Sequence, residues 1–137
     1  MAYEIRCVEY FYCSVKDQPG EAYKVLSILE ELGINMLAFH AIPIGPNNTQ
    51  LTIFPENSGR LFSEAKRSGL KLDGPQKAFL VRGDDHLGAL SELHKQLFDA
   101  GINIFASNGV TDGKGEYGYV IYVRPEKFES AKETLGL

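Results

Sequence analysis

One short motif occurs twice in this chain at the same spacing, and it constrains the fold more than any other feature. In the first half, Asp17-Gln18-Pro19-Gly20 opens an amphipathic stretch that closes on Gly33-Ile34-Asn35. In the second half, Asp85-His86-Leu87-Gly88 opens a similar stretch that closes on Gly101-Ile102-Asn103. A repeat of this length is one supersecondary unit duplicated, so the fold and any ligand site are expected twice.

Length and composition fit two small units. The chain has 137 residues, which suits two units of roughly 65 to 70 residues that share a core. We predict a first domain at residues 1–74 and a second at 75–137. The composition is 44% hydrophobic and 23% charged, as in a globular protein. The net charge is -4 without any Lys/Arg cluster, which disfavours a nucleic-acid partner because that affinity is largely electrostatic.

The sequence also favours a cytoplasmic location. Its start lacks a basic segment followed by an apolar stretch, and the longest apolar run, residues 34–44, is too short to span a bilayer. Cys7 and Cys13 lie on one predicted strand, where their Cα atoms would be about 20 Å apart. A disulfide needs less than about 7 Å, so we expect two packing thiols and no membrane segment.

Hydrophobic periodicity predicts the same order of elements in each half. In the first half we expect a strand at 9–15, a helix ending at Gly33, strands at 34–44 and 49–54, and a helix at 61–68. In the second half we expect a strand at 77–81, a helix ending at Gly101, strands at 103–110 and 117–123, and a helix at 128–135. The last strand of the second copy is missing or reduced to Gly136-Leu137.

The pattern strand, D-x-P-G, helix, G-I-N, strand resembles the ACT domain, a regulatory module that senses amino acids in many metabolic enzymes. The resemblance covers nearly the whole chain as two tandem copies. The first copy is closer, because Leu87 replaces the proline in the second. It implies an α+β fold of two tandem ferredoxin-like βαββαβ units, with antiparallel sheets and helices on one face. It also implies that modules pair edge to edge.

The repeated motif has a chemical interpretation of its own. A turn that leads directly into a helix leaves backbone N–H groups at the positive end of the helix, which favours a carboxylate. Glycine there makes room for a ligand, Asp17 and Asp85 could accept from an ammonium group, and an asparagine side chain both donates and accepts. With the resemblance, the candidate ligand-binding residues are Asp17, Gln18, Pro19, Gly20 and Asn35, and Asp85, His86, Leu87, Gly88 and Asn103.

Purely structural roles compete with these assignments. Asp17 and Asp85 are also good caps for the following helices, and Asn35 and Asn103 follow a glycine that ends a helix. His86 suits a solvated loop as well as a ligand contact. His40 and His94 share no metal-ligand spacing with Cys or carboxylates, so no metal and no cofactor is expected.

No catalytic motif is present. Residues 113–118 match G-x-G-x-x-G, but they lie between two predicted strands, where no helix N-terminus can hold a pyrophosphate. Asn47-Asn48-Thr49 matches a glycosylation acceptor but lacks a secretory signal. We therefore expect a non-catalytic regulatory protein that binds an amino acid. A ferredoxin-like RNA-binding domain and a small enzyme of unknown type are weaker alternatives.

Several predicted strands are apolar on both faces. Residues 10–13, 37–39 and 119–123 lack the alternation of a half-exposed antiparallel sheet. Something should cover the second face, and a second copy of the chain is the simplest partner. We therefore expect a homodimer, and as an alternative function a dimeric interaction module with vestigial pockets that docks on a metabolic enzyme.

Overall fold

A computed structural model describes residues 3–137. Along the chain the elements are β1 (Tyr3–Lys16), α1 (Glu21–Glu31), β2 (Met36–Ile44), β3 (Asn48–Pro55), α2 (Ser58–Ser68), β4 (Asp73–Asp84), α3 (Ala89–Asp99), β5 (Ala106–Thr111), β6 (Glu116–Tyr122) and α4 (Phe128–Thr134), with a single 3-10 turn at Pro125–Lys127. The predicted order of elements is confirmed in both halves. The fold class is α+β, with two ferredoxin-like units.

The chain forms two compact units, which are named here by order. The first unit is Glu9–Gln76, and the second unit combines residues 3–8 with Lys77–Leu137. Each unit thus contains part of β1 and part of β4. The predicted domain boundary at residues 74–75 falls within β4, and the division 1–74 and 75–137 stays a prediction about the repeat.

The first unit has the strand order β2-β3-β1-β4. The β1 residues 9–16 pair antiparallel with β3, with Phe11 opposite Ile53, and β2 pairs with the other side of β3. Residues 73–76 supply the fourth strand. Gly74 lies so close to β1 that an added Cβ would stand 2.9 Å from the carbonyl oxygen of Tyr10.

The second unit has the equivalent order, β5-β6-β4-β1. The fourth strand is not missing, and it is not Gly136-Leu137, which follow α4 outside any strand. It is provided by residues 3–8 at the other end of the described chain, where Tyr3 and Ile5 pack against the core of this unit. The prediction of a truncated second copy was therefore wrong.

Each unit has its own core between helices and strands. The first core contains Phe11, Leu29 and Leu51, together with Leu61 from α2. The second core is built from Phe79, Val81, Leu93, Leu97, Ile121 and Phe128, and in it the rings of Phe79 and Phe128 stack at 4.6 Å. The apolar spacing that predicted α1 and α3 is the spacing that buries them.

The doubly apolar strands divide their residues between two faces. In β6, Tyr119 and Ile121 belong to the core, and Val120, the residue between them, is not part of that cluster. In β1, Phe11 and Cys13 belong to the core of the first unit, and Tyr12 is half-buried on the other face. Tyr119 is therefore a core residue and not a candidate interface residue.

The cysteines differ in environment. Cys13 is buried, as expected, but Cys7 is exposed, so the prediction of a packing thiol was wrong for Cys7. Burial raises the pKa of the Cys13 thiol, with Asp73 adding to the effect. None of the helices in residues 3–137 has the length and apolarity needed to cross a membrane.

Candidate functional site

The loop between β1 and α1 is held by the neighbouring hairpin. The backbone N–H of Asp17 donates to the carbonyl oxygen of Asn47 at 2.9 Å, and Lys16 pairs with Asn48 at the end of the β1·β3 ladder. The N–H of Glu21 then donates to Gln18 at 3.3 Å, which starts α1. Strand pairing thus places residues 17–18 against the turn at residues 47–48.

The second unit repeats the two bonds that hold this loop. The N–H of Asp85 donates to Gly115 at 2.8 Å, and the N–H of Ala89 donates to His86 at 3.1 Å. The side chain of Leu87 is fully exposed, and His86 places its Nδ1 3.0 Å from the carbonyl oxygen of Leu87. His86 is thus an exposed loop residue bonded to its own loop.

Glycine, not aspartate, caps both helices. Gly20 and Gly88 are the N-cap residues of α1 and α3, with φ of 86° and 83°, and within residues 3–137 no side chain caps either helix. The capping role considered for Asp17 and Asp85 was therefore wrong. An added Cβ would meet nothing within 4 Å at either glycine. The glycines are required by their left-handed backbone, and not by crowding.

Asn35 and Asn103 lie at the opposite end of the helices from these loops. α1 and α3 have 11 residues each, about 16 Å along the axis. Asn35 immediately precedes β2, and its carbonyl oxygen accepts from the N–H of Glu56 at 2.9 Å. Within one unit, therefore, the loop and the asparagine do not line one pocket.

A polar cavity lies at the loop of the first unit. Its volume is about 280 Å³, and its lining consists of Lys16, Asp17, Gln18, Asn47 and Asn48. Two of these were predicted site residues, Asp17 and Gln18. The residues around the cavity carry an ammonium group, a carboxylate and three carboxamides, so every lining residue is polar or charged.

The second unit has a cavity at the other end of its helix. Its volume is about 440 Å³, and its lining is His94, Phe98, Gly101, Ile102, Asn103 and Ile104. Of the predicted residues it contains Asn103. Nε2 of His94 lies 2.6 Å from the hydroxyl of Tyr119, which ties the imidazole to the core strand β6. Its lining thus combines three apolar side chains and a glycine with an imidazole and a carboxamide.

Sequence reasoning missed Lys16, Asn47 and Asn48. Asn47 and Asn48 were considered as part of a glycosylation match, and Lys16 lay outside the predicted strand at 9–15. A strand register that pairs Lys16 with Asn48 would have found them. Pro19, Gly20 and Asn35 do not line the 280 Å³ cavity.

The described residues offer no metal centre. In residues 3–137 no three His, Cys, Asp or Glu side chains come together as a metal-binding group. The G-x-G-x-x-G match lies in the β5–β6 hairpin, as predicted, where Asp112 accepts from the N–H groups of Lys114 and Glu116 at 2.6 and 3.1 Å. These backbone bonds lower the pKa of the Asp112 carboxyl.

The chain is similar to known proteins in structure rather than in sequence. No protein-family model matches the chain, and no curated protein sequence matches it. Protein BT0572 from Bacteroides thetaiotaomicron superposes with a TM-score of 0.80 at 15% identity, covering 96% of this chain and 88% of that one.

Two further structures come from aspartate kinases. The ligand-free regulatory subunit of aspartate kinase from Thermus thermophilus superposes with a TM-score of 0.64 at 17% identity, covering 98% of this chain and 95% of that one. The regulatory subunit from Thermus flavus gives 0.61 at 18% identity with the same coverage. Likeness at these identities concerns the fold, and the chain accordingly has an ACT-like α+β fold.

Proposed function

We propose that the chain is a non-catalytic regulatory protein that binds a small metabolite, an amino acid. The observation that carries the proposal is the polar cavity at residues 17–18. A free amino acid presents one ammonium and one carboxylate group at neutral pH. Asp17 can accept from the ammonium, Lys16 can pair with the carboxylate, and the carboxamides can bond to either. A volume of about 280 Å³ suits a ligand of that size.

The start of α1 adds to the attraction for a carboxylate. Gly20 caps this helix without a side chain, and the positive end of the helix favours an anion there. The proposed ligand-binding residues are Asp17, Gln18, Pro19, Gly20 and Asn35, and Asp85, His86, Leu87, Gly88 and Asn103. Because the loop and the asparagine of one unit lie at opposite ends of a helix, they can contact the same ligand only when one copy of the module supplies the loop and another copy supplies the asparagine.

The fold agrees with a regulatory role. In Thermus thermophilus a protein of this fold is the regulatory subunit of aspartate kinase. Both units of the present chain have a ferredoxin-like fold, and their proposed chemistry is recognition and not bond breaking. A homodimer and a metabolic enzyme as partner belong to the same proposal.

Calorimetric titration with each common amino acid tests the proposal. We expect at least one to bind, and Asp17→Ala to weaken it about tenfold or more, because a charged hydrogen bond is lost. Asp85→Ala is the matched control, since it makes the same change in the equivalent loop. It should have the smaller effect, because Pro19 fixes the first loop whereas Leu87 leaves the second one freer. Absence of heat from every amino acid would refute ligand binding.

An interaction module is the second candidate function, and one surface favours it. The register of β1, β2 and β3 places Tyr12, His40 and Ile42 on the face of the first unit away from its helices. Ile42 is 46% exposed and Ile44 is 36% exposed. If no amino acid binds while light scattering gives the mass of a dimer, this function replaces the first.

A further inference from the structure

The polar cavity of the first unit carries one cation and one anion that are not paired with other side chains. Lys16 and Asp17 both line the cavity and are both exposed, and within residues 3–137 neither of them makes an ion pair. The nearest other carboxylate along the chain, Glu21, is already bonded to Lys24 at 2.9 Å. Both charged groups of the cavity are therefore available to a ligand.

Strand register identifies the equivalent positions in the second unit. In the first unit, Lys16 of β1 is opposite Asn48 of β3 at the end of the ladder. At the matching end of the second unit, Asp84 of β4 is opposite Glu116 of β6. A lysine and a carboxamide at one loop thus correspond to two carboxylates at the other.

The loop of the second unit is therefore acidic. Asp85 adds a third carboxylate, because its N–H bonds to the β5–β6 hairpin as that of Asp17 bonds to the β2–β3 hairpin. Of the three carboxylates, only Glu116 forms an ion pair within the described part of the chain, with Arg82 at 3.2 Å. Charges of one sign repel a ligand of the same sign. An anionic ligand is therefore expected at the first loop and not at the second.

The charges of the first loop also distinguish between classes of amino acid. Asp17 can accept from the ammonium group that every free amino acid carries. Two features then favour an anion: the ammonium group of Lys16, and the positive end of α1, which begins three residues after Gln18. A neutral amino acid has one carboxylate and can use only one of them. An acidic amino acid has two carboxylates and can use both.

We infer that the site takes a dicarboxylic amino acid, glutamate or aspartate, and that Lys16 and Asn48 select it by binding its side-chain carboxylate. Asn48 contributes a carboxamide N–H group, which can donate to the same carboxylate as Lys16. This selection rests on the proposed function, because it names the class of amino acid that the same site binds. It also assigns one site to each chain, since the acidic second loop repels a dicarboxylate.

Amino acids of equal shape with and without the second charge test the selection. In calorimetric titration glutamate should bind about tenfold more tightly than glutamine, because a charged hydrogen bond replaces a neutral one. Aspartate and asparagine form a second matched pair. The titration should give one glutamate per chain. Added salt should weaken glutamate binding more than glutamine binding, because it screens exposed charges.

Two lysine variants test the role of Lys16. Lys16→Gln keeps a polar side chain but removes the charge, and it should make the affinities for glutamate and glutamine nearly equal. It should fold normally, because Lys16 is exposed. Lys71→Gln is the control, since it removes an exposed lysine of the first unit that does not line the cavity. It should keep the wild-type preference for glutamate.

The outcomes separate this selection from amino-acid binding itself. Equal binding of glutamate and glutamine, tightest binding of an apolar or basic amino acid, or two equal glutamate sites per chain would overturn the selection and leave amino-acid binding in place. Full preference for glutamate in Lys16→Gln would overturn the role of Lys16. Heat from none of the amino acids would overturn the selection together with the proposed function.

Discussion

The two units close their first helix with one backbone motif but treat its end differently. α1 ends against the guanidinium of Arg60, which reaches from α2. α3 ends beside an open cavity, and the residue that precedes the first core residue of α4, Lys127, is exposed. The two units therefore share the backbone at this helix end but differ in the side chains beside it. Cavities and charges can differ between copies of one fold.

The units are alike, in contrast, in how they obtain their last strand. The first unit takes it from the start of β4, and the second unit takes it from the start of β1. The strands β1 and β4 therefore each contribute residues to both units. A substitution in one core should therefore destabilise only the part of β1 that belongs to that unit.

The largest expected effect comes from equivalent core substitutions. Leu29 and Leu97 are fully buried in the first and second cores, and Leu→Ala at either site should lower the free energy of unfolding by about 2 to 5 kcal/mol. Leu97→Ala should accelerate amide hydrogen exchange at residues 3–8 more than at 9–16. Leu29→Ala should do the reverse. Equal acceleration along the whole of β1 in both variants would contradict the division of this strand.

A smaller effect is expected at the helix ends. Arg60→Ala removes the side-chain hydrogen bond to Leu32 and should cost about 0.5 to 1.5 kcal/mol in chemical denaturation. Lys127→Ala, at the corresponding point before α4, should cost less than about 0.5 kcal/mol, as an exposed substitution does. A Lys127 variant as unstable as the Arg60 variant would show that both helix ends are covered alike.

The smallest expected effect compares the two hairpins. In the β5–β6 hairpin, backbone bonds lower the pKa of Asp112, so its contribution to stability is present above the unfolded-state pKa of about 3.9. That contribution is lost as the pH falls through the folded-state pKa. Asp112→Ala should therefore destabilise at pH 7 and become neutral in strong acid. In the β2–β3 hairpin, Asn47 accepts from the N–H of Asp17 through its backbone carbonyl oxygen. This oxygen does not titrate and is kept in Asn47→Ala, so the effect of that substitution on stability should not depend on pH.

Local signals were sufficient for the order of the helices and strands, but not for the full length of β1 and β4 or for the unit to which each part of them belongs. Gly33 and Gly101 end the helices as predicted, because a left-handed residue after the last turn is written in the local sequence. The partner of residues 3–8 is not local. Nothing in the 14-residue β1 marks Val8 as the last residue of one unit and Glu9 as the first residue of the other. Only tertiary packing divides the strand.

The candidate site was predictable to a similar degree. The repeated motif located the loop that lines the polar cavity, through Asp17 and Gln18. It did not identify Lys16, Asn47 and Asn48, because their approach depends on strand register. It also offered aspartate as an alternative helix cap, whereas a left-handed glycine occupies the N-cap position. The sequence therefore predicted the chemical type of the site residues, but not which of them lie close together.

The shared strand also has a consequence for synthesis of the chain. Residues 3–8 leave the ribosome before any other described segment, whereas their partner strand, residues 77–84, follows only after the first unit is complete. Until then Ile5 and Val8 lie on a strand edge without their neighbour, and such edges invite pairing with other chains. The risk of aggregation during synthesis is therefore expected to be highest after the first unit has formed and before residues 77–84 pair with residues 3–8.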